Sequence, residues 1–354
     1  MTYFAILGKH KQISLAELQY VQPTDIKTHG PIVIFDTQFP NMLKQLWGII
    51  KWGTVATLWD LTDSDKQPIV GTNSRLLGNH LKSSWYTKRY KELTLDHCDR
   101  EVQDKWQEII LIHSNETLDH DTPIGIVTDY QDIWLFEAVD FDKPGAGMGI
   151  GMMPSKLALT MINIALAQYQ TNHESKWEYT VYDPFCGFGT TNFLANAHWH
   201  NTIWSDINGG LIKPNLTWRQ THDRHTDKRI TAFKHDATDP ITKPFVAHTD
   251  VIVSEWWLWP VVSSRIMPKV AHHQLSQIGD VYCGFLTRVD EYFTDITVCI
   301  TIPVYRFYEV NVILEQIQQL VSTRPQRTVA PVSQMYERKW QYVMRQIIVL
   351  QKSS

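Results

Sequence analysis

The chain has few glycines and many tryptophans. It contains 17 glycines and 14 tryptophans in 354 residues, whereas an average glycine usage of about 7 % would give roughly 25. Its four cysteines, Cys98, Cys186, Cys283 and Cys299, lie far apart and form no CxxC pair. This spacing favours neither a zinc site nor a disulfide framework, so a reducing cytoplasm is the expected compartment.

Long apolar runs and a strong net charge are also missing. No run of about 18 uncharged apolar residues is present to span a bilayer, and a composition of 43 % hydrophobic and 20 % charged residues is typical of a globular protein. The opening MTYFAILGKHK has its cations after the apolar stretch, which predicts a strand and not a signal peptide. The net charge of -4 argues against non-specific coating of nucleic acid but allows a local basic face.

A length of 354 residues predicts about two domains at roughly 150 residues each. Residues 141–153, FDKPGAGMGIGMM, are rich in glycine and proline, which is typical of a linker. We therefore expect an N-terminal domain over 1–140 and a C-terminal domain over 141–354, in a monomer.

The N-terminal domain begins with strand and helix signals. Tyr3 to Leu7 are apolar and β-prone, and Pro31 to Phe35 are predicted as a second strand. Between them Ser14 and Glu17 have the spacing of a capping box, which predicts that Ser14 caps a helix running to Val21.

Cations are interleaved with aromatic residues between positions 82 and 91. This pattern suits RNA, because bases stack on aromatic rings and phosphates pair with cations. A solvated loop or helix face is an equally good interpretation. The cations are Lys82, Lys88, Arg89 and Lys91, and the aromatic residues are Trp85, Tyr86 and Tyr90.

The C-terminal domain alternates between helix and strand signals. Repeated units of this kind predict an α/β fold with a doubly wound parallel sheet covered by helices on both faces. The predicted elements are helices at 154–170, 190–198 and 271–293, and strands at 179–183, 202–206, 230–235, 249–254 and 295–302.

The strongest motif is DPFCGFGT, residues 183–190, between a predicted strand and a predicted helix. Gly187 and Gly189 allow a sharp turn and close approach of a ligand at the carboxyl edge of the sheet. A nicotinamide dinucleotide fold favours a third glycine near position 192, which is Asn192, and does not usually place Asp-Pro before the loop. The motif therefore predicts a cofactor site of a different kind.

Two further aspartates end the following strands. Asp206 comes 23 residues after Asp183, the spacing at which a carboxylate binds both hydroxyls of a ribose. Asp236, after the next strand, is placed to contact an adenine amine, although it could also be an ordinary turn residue. The three carboxylates are predicted to form one rim of a single pocket.

These segments resemble the THUMP-associated tRNA guanosine-N2 methyltransferases, a family of class I S-adenosylmethionine-dependent RNA methyltransferases. MMPSKLALTMINIA (152–165) looks like the family's PPKLAxxMxNLA element, and the N-terminal strand and helix and the segment 336–345 are also similar. The resemblance implies a Rossmann-like catalytic domain after a smaller α+β, ferredoxin-like or THUMP-like domain that binds RNA. It implies S-adenosylmethionine as cofactor, bound by Pro154, Lys156, Asp183, Pro184, Phe185, Cys186, Gly187, Gly189, Asp206, Asp236 and Ala237.

The fourth strand ends in SEWWLWP, residues 254–260, where such enzymes carry an acid followed by apolar and aromatic residues. An exocyclic base amine is a poor nucleophile, and a carboxylate that accepts its protons would direct its lone pair to the methyl group while an aromatic ring stacks on the base. By position, Glu255 is the acceptor and Trp257 the stacking platform. A packed rim without chemistry is the alternative.

Other candidate sites are weaker. The histidines show no metal-ligand spacing, Ser263 and Ser264 lack a GxSxG context, and we expect no metal. Cys186 has no basic partner in sequence and is interpreted as a packing residue.

The function that these features predict is methyl transfer to an exocyclic amine in structured RNA, with a tRNA guanosine as the leading substrate. A DNA amino-methyltransferase is the first alternative. The second is a cofactor-binding or RNA-binding protein that has lost turnover through changes at 254–260.

The tryptophan excess suggests a separate hypothesis. Five tryptophans stand where the resembling sequences usually carry glycine, and the hypothesis is that they are UGA codons of a source that reads UGA as glycine. Genuine tryptophans in a tryptophan-rich pocket are the alternative. The five are Trp47, Trp199, Trp204, Trp256 and Trp259.

Overall fold

The structure is a computed structural model in which the chain divides into two compact units, residues 1–132 and 133–354. The described residues of the expected linker, 141–145 and 152–153, belong to the second unit. The structure describes residues 1–62, 67–84, 86–96, 107–113, 117–131, 133–145, 152–222, 229–255, 267–306, 311–323, 327–337 and 341–352.

The first unit contains a mixed sheet of eight strands in the order β2-β3-β1-β4-β8-β7-β5-β6. Strands β5 and β6, and β5 and β7, are parallel, and the other neighbours are antiparallel. The strands are β1 (Thr2–Leu7), β2 (Thr24–His29), β3 (Ile32–Asp36), β4 (Ile49–Thr57), β5 (Gln67–Thr72), β6 (Thr87–Glu92), β7 (Gln107–Leu111) and β8 (Pro123–Tyr130), and the helices are α1 (Lys11–Leu18), α2 (Leu58–Thr62) and α3 (Arg75–Ser83).

The two predicted N-terminal strands are present as β1 and β3, but the predicted cap is wrong. Helix α1 begins at Lys11, and Ser14 lies inside it with its hydroxyl donating to the carbonyl of His10. Glu17 is fully buried and accepts hydrogen bonds from the backbone N–H groups of Trp47 and Gly48. The capping-box spacing was misleading because Glu17 binds a distant loop, and such a contact leaves no local pattern.

A buried ion pair joins two strands of the first unit. The Nζ of Lys51 lies 2.7 Å from Oε1 of Glu108, and both side chains are at most 1 % exposed. The hydroxyl of Tyr130 donates to the other oxygen of Glu108. Because both charges are paired and hydrogen-bonded, the desolvation cost of burying them is offset, and β4, β7 and β8 are held in one register.

The second unit contains a sheet of seven strands in the order β11-β10-β9-β12-β13-β15-β14. The five strands from β11 to β13 in this order are parallel to one another. Strand β15 runs antiparallel to both of its neighbours, β13 and β14. The strands are β9 (Thr180–Asp183), β10 (Asn201–Asp206), β11 (Ile230–Lys234), β12 (Val251–Glu255), β13 (Ile296–Tyr305), β14 (Arg327–Tyr336) and β15 (Val343–Lys352), and the helices are α4 (Ile133–Glu137), α5 (Ser155–Gln170), α6 (Thr190–Ala197), α7 (Ile212–His222), α8 (Pro268–Tyr292) and α9 (Val312–Ser322).

Helices cover the second sheet because its central strands are apolar on both faces. Ile252, Val298 and Ile300 pack in one core cluster with residues of α8 such as Phe285. Helix α5 packs on β12 and β13. The predicted doubly wound, Rossmann-like α/β fold is therefore confirmed, and the predicted strands and helices of this unit lie within a few residues of their observed positions.

The chain reverses its direction of travel across the second sheet between β9 and β12. It runs outward from β9 to β10 and β11, and then returns to the other side of β9 with β12 and β13. In open α/β sheets, ligands bind at the carboxyl ends of the strands beside such a reversal. Among the described residues, no helix is both long and apolar enough to cross a membrane.

Candidate cofactor site

The DPFCGFG loop lies at the carboxyl end of β9 and leads into α6. Gly187 has a φ of +46° and Gly189 a φ of +72°, so both adopt the left-handed conformation that favours glycine. A Cβ at Gly189 would also lie 2.9 Å from a ring carbon of Trp204. The backbone N–H of Cys186 donates to the carbonyl of Ser205, which fixes the loop against β10.

The loop forms one wall of a cavity of about 350 Å³. The cavity lies at the reversal of strand order, and its size is within the range of small-molecule sites. Its described lining residues are Met152, Met153, Asp183, Phe185, Cys186, Gly187, Phe188, Thr190, Thr191, Asp206, Ile207, Asn208, Leu211 and Glu255.

Asp183 is 3 % exposed at the end of β9. It accepts hydrogen bonds from the hydroxyl of Ser254 on β12 and from the backbone N–H of Phe185, the latter at 3.1 Å. Burial raises the pKa of its carboxyl from 3.8 to about 7, against the opposing effect of these two hydrogen bonds. The carboxyl therefore changes its protonation near neutral pH, and a bound cation would favour its charged form.

Asp206 ends β10 and lines the same cavity. Its Oδ2 accepts from the backbone N–H of Gly187 at 2.8 Å, and its Oδ1 accepts from that of Asn208 at 2.7 Å. The carboxylate thus joins the glycine loop to the turn after β10. Each of its oxygens has two lone pairs, so this arrangement still permits bonds to ligand hydroxyls.

Glu255 ends β12 and forms a buried ion pair. Its Oε1 accepts from the Nε of Arg345 on β15 and from the hydroxyl of Thr301 on β13, at 3.3 Å for the hydroxyl. The side chains of Glu255 and Arg345 are each 5 % exposed. The permanently charged guanidinium therefore pairs with a carboxylate that is largely shielded from water.

The structure therefore brings two of the three carboxylates predicted for one rim, Asp183 and Asp206, around one cavity together with Glu255, and the third, Asp236, is not among the described lining residues. Phe185, Cys186 and Gly187 of the predicted set line it as well.

Other predicted cofactor residues lie outside the described lining. Pro154 is buried at the start of α5. Lys156 is exposed, its Nζ lies 5.4 Å from the centre of the Phe136 ring, and its predicted contact with the cofactor stays a prediction. Pro184, within the DPFCGFG loop, is buried.

The turn after β11 has a clear structural role. Oδ1 of Asp236 accepts from both the backbone N–H and the hydroxyl of Thr238, at 2.9 and 2.8 Å. Ala237 is buried in the core cluster of α8. This is the ordinary turn arrangement that was the alternative for Asp236, and a contact of Asp236 with adenine remains a prediction.

Trp257 lies outside the described residues, as do Trp256 and Trp259. Its predicted role as a stacking platform therefore stays a prediction.

The predicted RNA-binding cations are exposed. Lys82 is in the last turn of α3, while Lys88, Arg89 and Lys91 lie on β6, which is an edge strand. Edge strands commonly carry charged side chains that prevent pairing with other chains. Their placement is compatible with both RNA binding and this structural role.

Several cavity residues were missed by sequence reasoning. Met152, Met153, Ile207 and Leu211 supply apolar surface, which leaves no specific motif. Arg345 was missed because it meets Glu255 across 90 residues of sequence.

Cys186 is buried and its thiol pKa is raised by burial, in accord with a packing residue. Among the described residues, no cluster of side chains suited to a metal ion is present.

Neither a protein-family model nor a curated protein matches the sequence. Similar solved structures include TrmN from Thermus thermophilus, with 11 % identity over 99 % of this chain and 100 % of that chain and a TM-score of 0.49. Magnesium protoporphyrin IX methyltransferase from Synechocystis with bound SAM covers 64 % of this chain and 87 % of its own, at 11 % identity and a TM-score of 0.37. A TehB-like SAM-dependent methyltransferase from Corynebacterium glutamicum covers 52 % of this chain and 86 % of its own, at 13 % identity and a TM-score of 0.32.

Proposed function

We propose that the second unit binds S-adenosylmethionine in the 350 Å³ cavity and catalyses methyl transfer to an exocyclic amine of a nucleobase. The observation that carries this proposal is the placement of Asp183, Asp206 and Glu255 around one cavity at the reversal of strand order. A glycine loop and a strand-end carboxylate at this position suit a nucleoside with a ribose.

The residues of the cavity suggest how the cofactor is oriented. Asp206 would accept hydrogen bonds from the ribose hydroxyls, and the apolar Ile207 and Leu211 beside it suit the adenine ring. Asp183 at the centre of the strand ends would face the positive sulfonium region. Glu255 would then lie toward the methyl acceptor.

The proposed methyl transfer depends mainly on how the cavity orients the acceptor amine toward the methyl group, and less on the acid strength of a side chain. When bound, the cofactor supplies a methyl carbon on a positively charged sulfonium leaving group, so no metal is needed for activation. Glu255 would accept a hydrogen bond from the acceptor amine and thereby direct the lone pair of that amine, and Arg345 holds the carboxylate in place through its hydrogen bond. Trp257 would stack on the extruded base.

Structured RNA is the proposed substrate, with guanosine N2 in tRNA as the leading target. The sequence resemblance and the exposed cations of α3 and β6 support this choice. One observation favours a second candidate function, which is cofactor or RNA binding without turnover. The carboxylate of Glu255 is engaged by Arg345 and Thr301, and this pairing competes with a substrate amine.

The test is incubation of the whole protein with methyl-tritiated S-adenosylmethionine and either total tRNA or DNA, followed by nucleoside digestion and chromatography. The proposal expects label in N2-methylguanosine from tRNA. Label in a DNA base would replace the substrate proposal with a DNA amino-methyltransferase. Cofactor binding without label in either nucleic acid would favour the second candidate.

A further inference from the structure

A second cavity lies beside the cofactor cavity in the second unit. It is a groove of about 690 Å³. The turn between β10 and α7 forms a wall of both cavities, because its two glycines line the groove whereas Ile207, Asn208 and Leu211 line the cofactor cavity. A ligand in the groove would therefore adjoin the cofactor site. The described lining of the groove includes Pro144, Gly209, Gly210, Lys213, Pro214 and Trp218.

Trp218, on α7, supplies an aromatic surface to this groove. Its ring packs edge-on against Phe193 of α6, with the ring centres 5.2 Å apart and the planes at 73°. The side chain is half-buried, so this contact holds the indole in place while part of it lines the groove. Pro144 and Pro214 continue the apolar surface. A fixed indole beside two rigid prolines loses little conformational entropy when a flat ring stacks on it.

The charge at the groove is positive. Lys213 is exposed in the first turn of α7, where a cation opposes the helix dipole and does not stabilise the helix. Lys234 of β11 is also exposed, and its aliphatic stem packs on Gly209, where a Cβ would lie 3.2 Å from the Cβ of the lysine. Among the described residues, no carboxylate oxygen lies within 4.0 Å of either amine. The described lining contains no aspartate or glutamate, so the groove suits an anion.

An aromatic surface next to cations without carboxylate partners suits a nucleotide, because the base stacks on the ring and the phosphate pairs with an amine. Resting on the proposed function, we propose that this groove binds an unpaired nucleotide of the RNA substrate, near the nucleoside that is methylated. Its base stacks on Trp218, and its phosphate pairs with Lys213. The substrate therefore carries its target in or beside a single-stranded segment.

The first test is fluorescence anisotropy of the whole protein with a short fluorescein-labelled single-stranded RNA of mixed sequence, without cofactor. Trp218→Ala should weaken binding about fivefold or more, and Trp218→Phe should retain most of the affinity. A duplex RNA of the same length should bind equally well to wild type and Trp218→Ala, because paired bases are not available for stacking. Trp177→Ala, at a tryptophan that is 64 % exposed in the same unit, is the matched control and should bind normally.

The second test measures how the affinity for the single-stranded RNA depends on salt. Each phosphate contact contributes about 0.7 to the slope of the logarithm of affinity against the logarithm of salt concentration, so Lys213→Gln should lower the slope by about that amount. Lys213→Arg should keep it. Lys243→Gln, at an exposed lysine of the same unit, is the control and should leave the slope unchanged. A purely structural effect of Lys213 would weaken binding without this change of slope.

Calorimetry with S-adenosylhomocysteine separates this proposal from the proposed function, since neither Trp218→Ala nor Lys213→Gln should alter that affinity. A wild-type protein that binds the cofactor product but not the RNA would overturn the role of the groove and leave the proposed cofactor site standing. RNA binding that is unchanged in both variants would do the same. A preference for the matching DNA strand that is lost in Trp218→Ala would assign the groove to DNA and overturn the assignment to RNA. RNA binding with the expected losses, but no binding of S-adenosylhomocysteine, would be a failure of the proposed function alone.

Discussion

The carboxylate of Glu255 accepts a hydrogen bond from Arg345, and each side chain is only 5 % exposed. The pair connects the end of β12, in the parallel part of the sheet, to β15 in its antiparallel edge. Since Glu255 also lines the cavity, one interaction both stabilises the sheet and orients the proposed acceptor of the substrate amine.

Glu255→Gln should abolish methyl transfer and leave the affinity for S-adenosylhomocysteine within about twofold, because the residue is proposed to face the base and not the cofactor. The substitution also leaves Arg345 buried without a charged partner, which costs on the order of 3–5 kcal/mol. Thermal unfolding is therefore measured alongside activity. Glu315→Gln, at an exposed glutamate, is the control. Full turnover in a folded Glu255→Gln protein would remove Glu255 from the mechanism.

Asp206→Ala should weaken cofactor binding by about 1.5–3 kcal/mol, because it removes charge-assisted hydrogen bonds to the ribose and the support of the glycine loop at Gly187. The measurement is calorimetric titration with S-adenosylhomocysteine. Asp239→Ala, at an exposed aspartate in the turn after β11, serves as control and should bind normally. An unchanged affinity for Asp206→Ala would contradict the assignment of the cavity.

The buried carboxyl of Asp183 should make stability depend on pH. Its pKa is raised from 3.8 to about 7 by burial, so its contribution is fully present below about pH 3.8 and is lost as the pH rises toward 7. Urea unfolding of wild type and Asp183→Asn at pH 5, 6 and 7 measures this effect. The stability of wild type should fall relative to the variant as the pH rises. A constant difference would show that Asp183 has an ordinary pKa.

The structure bears on the tryptophan hypothesis at three of the five positions. Trp199 follows α6 with a φ of +67°, and the backbone N–H groups of Trp199 and His200 donate to the carbonyls of Asn196 and Ala195. This is a Schellman motif, which favours glycine at the position of Trp199. Trp204 is fully buried, with its Nε1 donating to the hydroxyl of Thr202 at 2.7 Å.

Trp47 is also buried, at 4 % exposure. The burial and the indole hydrogen bond of Trp204 are what a genuine tryptophan would show, whereas the conformation of Trp199 is what the glycine hypothesis expects. The two positions at 256 and 259 lie outside the described residues.

Trp199→Gly should stabilise the protein by about 1 kcal/mol, because glycine adopts the left-handed conformation without the steric cost of a Cβ. Chemical denaturation measures the change. Trp177→Gly, at a tryptophan that is 64 % exposed and has no positive φ, is the control and should give no gain. The gene sequence gives an independent check, since UGG codons at all five positions would end the hypothesis of misread glycines.

The sequence predicted the second unit well because its signals are local. Apolar runs in the strands, and the two glycines of the DPFCGFG loop, depend on neighbours in sequence, and the loop was placed correctly at the end of β9. Ser14 was misassigned and Arg345 was missed because the interactions that determine their roles are not local in sequence. The contacts that decide their roles, Glu17 with the loop at Trp47 and Arg345 with Glu255, join distant segments.

Lys143 shows the same limit. In sequence it belongs to a glycine-rich stretch that was interpreted as a linker. Only the fold shows that its side chain is buried against Thr190, 47 residues further along the chain. Burial of a charged group depends on the packing of several elements, and a sequence pattern does not record it.

The most direct test of the central claim is calorimetric titration of S-adenosylhomocysteine into the whole wild-type protein. The cavity predicts saturable binding of one molecule per chain, and competition by S-adenosylmethionine for the same site. An absence of binding by both compounds at millimolar concentration would contradict the assignment of this cavity as a cofactor site.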